Sequence, residues 1–126
     1  MLDTSVLVSV ERGGQLGKVV APDDEPAIAA VTAAELLVGA ELAAGRQRAA
    51  RRRFVEGLLE RVAVEPYDLA VARVHAELLA HVRRTGAPRG AHDLIVAATA
   101  RARGCVVVTL DRRGFDVLPG VRVVAP

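Results

Sequence analysis

Four acidic side chains of this 126-residue sequence could together bind a divalent cation. They are Asp3, Glu35, Asp93 and Asp111. Asp3 and Asp111 follow apolar, strand-like segments, while Glu35 and Asp93 lie near the starts of helix-like segments. Crowded carboxylates raise one another's pKa unless a cation neutralises them. Mg²⁺ accepts such oxygen ligands and leaves its remaining positions to water and phosphate, so four acids suit one or two ions.

Each acid also has a purely structural explanation. Glu35 is the third residue after Thr32, and the sequence TAAE fits a capping box. Asp93 at a helix start is stabilised by the helix dipole. Asp111 fits a turn, and Asp3 fits the cap of a short helix. These alternatives stay open for each residue alone, but together they would leave four carboxylates crowded without a cation.

The charge distribution favours a polyanionic substrate. The net charge is only +2, but without the four acids the remainder has 17 basic and 11 acidic side chains. Basic side chains attract a nucleic-acid backbone, and a metal can activate a water molecule against a phosphodiester. Arg112 and Arg113, beside Asp111, are candidate phosphate contacts. Aromatic residues make up only 2%, which excludes recognition of single strands mainly by base stacking.

Strand-like and helix-like segments alternate along the chain. The predicted strands cover 1–2, 27–31, 62–65, 105–109 and 121–124, and the predicted helices cover 32–44, 47–61, 68–84 and 91–103. This alternation predicts one α/β domain, residues 1–126, with a mostly parallel sheet and helices on both faces. Because sites in such folds form at the carboxyl ends of the strands, we expect the four acids at one edge of the sheet.

Several classes of protein are excluded by composition. A single cysteine, Cys105, rules out an internal disulfide or a cysteine zinc cluster. No apolar run is long enough to span a bilayer, and the first ten residues lack the basic region of a signal peptide. We therefore expect a cytoplasmic domain with no membrane contact. A phospho-acceptor receiver domain would need a late lysine, whereas Lys18 is the only lysine.

Four stretches carry a family resemblance: LDTSVLV (2–8), TAAELLVGA (32–40), HDLIVAATA (92–100) and TLDRRGF (109–115). In this order they resemble the PIN-domain ribonucleases, specifically the VapC-type toxins of toxin–antitoxin pairs. The resemblance covers essentially the whole chain. It implies a three-layer α/β/α fold, metal-dependent endonucleolytic cleavage of RNA, a homodimer and inhibition by a partner antitoxin.

The resemblance also implies roles for individual residues. Asp3, Glu35, Asp93 and Asp111 would hold Mg²⁺, or Mn²⁺ in its place, with Asp3 and Asp93 as direct ligands. The hydroxyls of Thr4 and Thr109 would orient carboxylates or waters. Water activated by the metal would then cut RNA to leave 3′-hydroxyl and 5′-phosphate ends.

Two departures from the family pattern, and one alternative function, remain. Many relatives place an acid where this chain has Gly114, and only two residues precede Asp3. His92 is interpreted as a capping or carboxylate-orienting group rather than a general base. The alternative function is a catalytically silent PIN-like module that binds RNA or protein. A flap-cutting DNA nuclease needs more acids and a threading arch, for which 126 residues leave little room.

Overall fold

The computed structural model describes residues 1–126. Five α-helices are present: α1 (Thr4–Glu11), α2 (Ala30–Leu42), α3 (Gly45–Leu59), α4 (Leu69–Thr85) and α5 (Ala91–Arg103). The four strands are β1 (Ala27–Ala29), β2 (Ala63–Glu65), β3 (Val107–Val108) and β4 (Val123–Val124). Short 3₁₀ helices cover Leu16–Lys18 and Arg112–Gly114. No helix is both long and apolar enough to cross a membrane.

The sheet is parallel throughout and is centred on residues 1–3. β1 pairs with β2, and β3 pairs with β4. Residues 1–3 join the two pairs, because Leu2 forms a parallel bridge with Val108 and donates its N–H to the Ala27 carbonyl at 2.8 Å. The resulting order is β4, β3, residues 1–3, β1, β2. The prediction of a mostly parallel sheet is therefore confirmed.

The sheet lies between two apolar layers. Successive residues of β1 alternate between them: Ala27 and Ala29 pack with α4 and α5, while Ile28 packs with α1, α2 and α3. Met1 and Leu2 divide in the same way. This alternation follows from the period of two along a strand, and it confirms the three-layer α/β/α architecture.

The last two helices, α4 and α5, begin and end close to their predicted bounds. α5 covers Ala91–Arg103, as predicted, and ends at Gly104, whose φ of +69° is a left-handed conformation that glycine adopts without strain. α4 begins after Asp68, whose side chain accepts a hydrogen bond from the Val71 N–H at 3.0 Å. It ends at Gly86, again with a positive φ.

Other elements differ from the predictions. Residues 4–11 form α1, which hydrophobic periodicity did not indicate, although the cap it requires at Asp3 was one of the structural explanations. The predicted strands 27–31 and 105–109 were too long. Residues 30–31 belong to α2, in a segment rich in helix-forming alanine and leucine. Cys105 instead donates its N–H to Ala100 at the end of α5.

Candidate functional site

The four acids line one cleft at the carboxyl ends of residues 1–3 and β3. The cleft has a volume of about 260 Å³, and its walls are Asp3, Thr4, Ser5, Glu35, His92, Asp93, Val96, Asp111 and Phe115. It opens where the strand order reverses, between the central segment and β3, which is the position where open α/β sheets bind ligands. The convergence expected from the sequence is therefore present in the structure.

Asp3 is the most firmly held of the four acids. Its backbone N–H donates to Val108 at 3.0 Å, and its side chain caps α1. One carboxylate oxygen, Oδ2, accepts hydrogen bonds from Ser5 Oγ at 2.7 Å and from Thr109 Oγ1 at 2.9 Å. The residue is only 8% exposed. Asp3 therefore has both roles. It caps α1, as the structural explanation predicted, and it also lines the cleft.

Ser5 belongs to the site although sequence reasoning did not select it. Its hydroxyl donates to Asp3 and accepts the N–H of Leu110 at 3.1 Å, so it joins α1 to the loop after β3. A serine two residues after a capping aspartate is a common pattern at helix starts, and this pattern is the signal that could have identified it. The partner at Leu110 is 105 residues away and has no signal in the sequence.

Glu35 does not belong to a capping box. α2 begins at Ala30, so Thr32 lies inside the first turn, fully buried, and its hydroxyl has no hydrogen-bond partner. Glu35 instead accepts a hydrogen bond from Thr4 Oγ1 at 3.0 Å and lies 2.5 Å from His92 Nδ1. The structural explanation for Glu35 is therefore wrong, and its carboxylate faces the cleft.

Asp93 stands in the first turn of α5 without any hydrogen bond from the protein, and the residue before the helix, Gly90, provides no side-chain cap. Burial raises the pKa of the Asp93 carboxyl above its usual range, and the charges of Asp3, Glu35 and Asp111 raise this pKa further. Asp93 therefore experiences the concentrated negative charge of the cleft most directly.

Two glycines, from separate loops, allow the backbone to approach the Asp93 carboxylate closely. A Cβ on Gly90 would lie 3.2 Å from Asp93 Oδ2, and a Cβ on Gly114 would lie 2.9 Å from Asp93 Cγ. The second distance is shorter than real side chains tolerate. The structure thus gives a steric reason for the glycine at position 114 of this chain.

Asp111 lies at the exposed rim and pairs with its neighbour. Its carboxylate accepts hydrogen bonds from Arg113 Nε at 2.9 Å and Nη2 at 3.1 Å, and these contacts hold the pKa of Asp111 below its usual range. Arg113 remains 90% exposed at its side chain. Arg112 lies 3.4 Å from the Asp116 carboxylate. Thr109 Oγ1 accepts the Asp111 N–H at 3.0 Å and so connects Asp111 to Asp3.

The donor set of the cleft has the chemistry that a hard divalent cation requires. Four carboxylates face one space, and three of them add to the effect of burial in raising the pKa of Asp93, so a cation would neutralise like charges that lie close together. In this arrangement, no three acidic, histidine or cysteine side chains converge closely enough to form a metal cage. Three of the four acids instead contact side chains of the protein, so ligation would exchange those contacts for an ion.

Comparison with known sequences gives consistent matches. The family model of the PIN domain matches residues 1–121. The chain is 36% identical over 96 residues to the tRNA(fMet)-specific endonuclease VapC of Salmonella typhimurium, an alignment that covers 76% of this chain and 71% of the relative. It is 38% identical over 112 residues to the ribonuclease VapC5 of Mycobacterium tuberculosis, covering 88% and 82% of the two chains.

Solved structures match over nearly the full length. The DNA-bound VapBC of Salmonella typhimurium superposes with a TM-score of 0.89 at 30% identity, covering 99% of this chain and 96% of that one. VapBC-5 from Mycobacterium tuberculosis, described as a member of the VapBC family of toxin–antitoxin systems, gives a TM-score of 0.81 at 33% identity with the same coverage.

Proposed function

Because this chain belongs to the PIN-domain family, among the VapC ribonucleases, we propose that it is a metal-dependent endoribonuclease and the toxin of a toxin–antitoxin pair. The observation that carries the proposal is the meeting of four carboxylates in one cleft, where burial and the charges of the other three acids raise the pKa of Asp93. The proposed substrate is RNA, as the names of the relatives indicate for those proteins.

The residues of the cleft have different proposed roles. Asp3 and Asp93 would hold Mg²⁺ or Mn²⁺ directly, with Glu35 and Asp111 completing the acidic wall. The ion would polarise the scissile phosphate and lower the pKa of the attacking water. Thr109 and Ser5 keep Asp3 Oδ2 in one orientation by donating to it, which leaves Oδ1 as the oxygen without a hydrogen bond from the protein.

Glu35 is oriented from two sides. Thr4 Oγ1 donates to its Oε2, and His92 Nδ1 lies against its Oε1. A carboxylate fixed in this way can accept a hydrogen bond from a water at the mouth of the cleft, and His92 can share the proton at Nδ1. Attack by water, rather than by the ribose 2′-hydroxyl, gives the proposed 3′-hydroxyl and 5′-phosphate ends.

A cleavage assay tests the proposal. Purified protein is incubated with total RNA in Mg²⁺ or in EDTA, alongside Asp93→Asn and a matched control, Asp23→Asn, which alters an exposed aspartate outside the cleft. We expect cleavage by the wild type and the control in Mg²⁺, and none in EDTA or by Asp93→Asn.

The products decide between mechanisms. RNA fragments that can be ligated because they carry 5′-phosphate and 3′-hydroxyl ends support attack by water. Fragments that end in a 2′,3′-cyclic phosphate contradict it. If folded protein, freed of any partner, leaves every RNA intact, the chain is a silent binding module and the enzymatic proposal is wrong.

The proposal includes two protein partners. The relatives of known structure are VapBC complexes, and by analogy a small antitoxin would bind this chain and mask the cleft. A homodimer is proposed as well. Light scattering after gel filtration should give twice the 13.3 kDa mass of the chain. A monomeric mass across the micromolar range would contradict the dimer. Because RNA is the proposed substrate, the activity is assigned to the cytoplasm.

A further inference from the structure

Arg89 joins two loops that are separate in sequence. Its Nη2 donates to the Asp116 carbonyl at 3.0 Å, while Nη1 lies 3.4 Å from the Ala87 carbonyl and 3.3 Å from the Pro88 carbonyl. The side chain is half-buried, and its Nε is fully buried without a partner. A buried N–H without a partner is unfavourable. The contacts of the other two nitrogens must therefore outweigh this loss.

The two loops that Arg89 joins are the ones that enclose Asp93. One loop leads through Gly90 into α5, and the other contains Gly114 and ends at Asp116. Both glycines approach the Asp93 carboxylate at Oδ2, and the second loop also carries Asp111 at its start. The distance between the loops thus fixes both the space around the Asp93 carboxylate and its separation from Asp111.

A planar guanidinium suits this task better than other cations. Its nitrogens point in fixed directions, so one side chain can reach carbonyls on two segments, whereas an ammonium is a single donor centre. Contact with RNA is a poor alternative role, because the guanidinium already faces three backbone carbonyls and part of it is inaccessible.

We propose that Arg89 is a positioning residue, a clamp that sets the width between the Asp93 segment and the 111–116 turn and so tunes the affinity of the cleft for its divalent cation. The inference rests on the proposed function for its link to catalysis. The clamp itself can be measured without RNA, because cation binding and backbone chemical shifts require no turnover.

The test compares Arg89→Met and Arg89→Lys with Arg61→Met, which removes an exposed arginine whose side chain forms no hydrogen bond or ion pair. Mn²⁺ affinity of the free protein is measured by electron paramagnetic resonance. We expect binding to weaken about tenfold in Arg89→Met, the lower range for residues that orient metal ligands. Arg89→Lys should recover part of this loss, and Arg61→Met should match the wild type.

Two further measurements separate a clamp from general stabilisation. In Arg89→Met, kcat should fall with KM unchanged within about twofold, because RNA contacts remain while the ligands are displaced. In amide NMR spectra of the metal-free protein, Gly90 and Gly114 should shift together. Shifts confined to 87–90, or a folded Arg89→Lys with wild-type Mn²⁺ affinity and kcat, would overturn the proposal.

The outcomes also keep the two proposals apart. Wild-type protein that binds Mn²⁺ in an Arg89-dependent manner but cleaves no RNA contradicts the ribonuclease proposal and supports the clamp. Wild-type protein that cleaves RNA while Arg89→Met behaves like Arg61→Met contradicts the clamp alone. If Arg89→Met does not fold, the Arg89→Lys comparison decides.

Discussion

Asp93 differs from the other three acids because it accepts no hydrogen bond from a side chain of the protein. Asp3 accepts hydroxyl hydrogen bonds, Glu35 contacts Thr4 and His92, and Asp111 pairs with Arg113. Asp93 receives no hydrogen bond, and its pKa is raised first by burial and then by the like charges of Asp3, Glu35 and Asp111. An ionised carboxylate in this state lowers the stability of the metal-free protein, and carboxylates with raised pKa values are common at functional sites.

This charge predicts a pH dependence for Asp93→Asn. Because the folded pKa of Asp93 is raised above that of the unfolded chain, about 3.9, the contribution of Asp93 to wild-type stability falls as pH rises from that value through the folded pKa and is level beyond it. Asparagine has no such loss. In EDTA, the variant should match the wild type near pH 3 and melt at a higher temperature at pH 7. Equal or lower melting temperatures at pH 7 would contradict the charge argument.

Ser5 is expected to matter for activity more than for stability. Ser5→Ala removes the 2.7 Å contact to Asp3 and the 3.1 Å contact from Leu110, and each hydrogen bond contributes about 1 kcal/mol net. We expect RNA cleavage to fall roughly 10- to 100-fold, the range for residues that orient metal ligands. Ser9→Ala, an exposed position on the same helix, is the control. Equal rates for the two variants would show that Ser5 does not orient Asp3.

Gly114 gives a steric test of the cleft. In Gly114→Ala, the new methyl group would collide with the Asp93 carboxylate, which must turn away. We expect at least a tenfold loss of Mn²⁺ affinity, of the order found when ligand orientation is disturbed. The control is Gly57→Ala in α3, where a Cβ meets nothing within 4 Å and should stabilise the helix by about 1 kcal/mol. Unchanged Mn²⁺ affinity in Gly114→Ala would mean that Asp93 adjusts freely.

At the scale of elements, sequence patterns located α5 fully and α1 hardly at all. α5 has a continuous apolar segment and a glycine stop, both local signals. α1 is only eight residues long and depends on Asp3, whose orientation is fixed by Thr109 more than one hundred residues away. Strand lengths were overestimated for a related reason, since pairing partners decide where a ladder ends. Helix and strand propensities are properties of one segment, whereas the ends of α1 and of the strands depend on the segments that pack or pair with them.

Val117 is a strained position in the loop that Arg89 holds. Its φ is +59°, unfavourable for a β-branched residue, and its side chain is 83% exposed and contributes little packing. Val117→Gly should relieve about 1–2 kcal/mol of left-handed strain, partly offset by the flexibility of glycine in the unfolded chain. We expect an equal or higher melting temperature, measured calorimetrically. Val117→Ala, which keeps a Cβ at this φ, is the comparison, and a clearly lower value for the glycine variant would contradict the strain argument.

For the whole molecule, sheet topology made the position of the cleft predictable. The side-chain pairs within the cleft could not be predicted. The rule that strand ends share one edge predicted that acids separated by 32, 58 and 18 residues would meet, and they do. The contacts of Arg113 with Asp111 and of His92 with Glu35 depend on side-chain rotamers and loop paths. Such details have no period or spacing in the sequence, so the meeting of the four acids could be predicted while the contacts around them could not.

The basic rim predicts a salt dependence of RNA binding. If Arg112 and Arg113 contact phosphates, the double variant Arg112→Ala/Arg113→Ala should lower the slope of log affinity against log salt by about 1.4, or about 0.7 per contact on single strands. The control is Arg101→Ala/Arg122→Ala near the C-terminal end of α5, where Arg101 pairs with Glu77 and Arg122 donates to the Gly104 carbonyl. Fluorescence anisotropy with a catalytically dead protein gives both slopes, and equal slopes would assign the rim arginines to structure alone.

The central position of residues 1–3 has a consequence for biosynthesis. Leu2 donates to Ala27, but Met1 donates its ammonium to Val106 and accepts from Val108, and Asp3 donates to Val108, so one side of the central segment pairs with the last quarter of the chain. A nascent chain leaving the ribosome therefore exposes Asp3 long before its partners exist. The cleft cannot assemble until Asp111 and Phe115 have been translated, so unfinished copies of the chain lack the complete site.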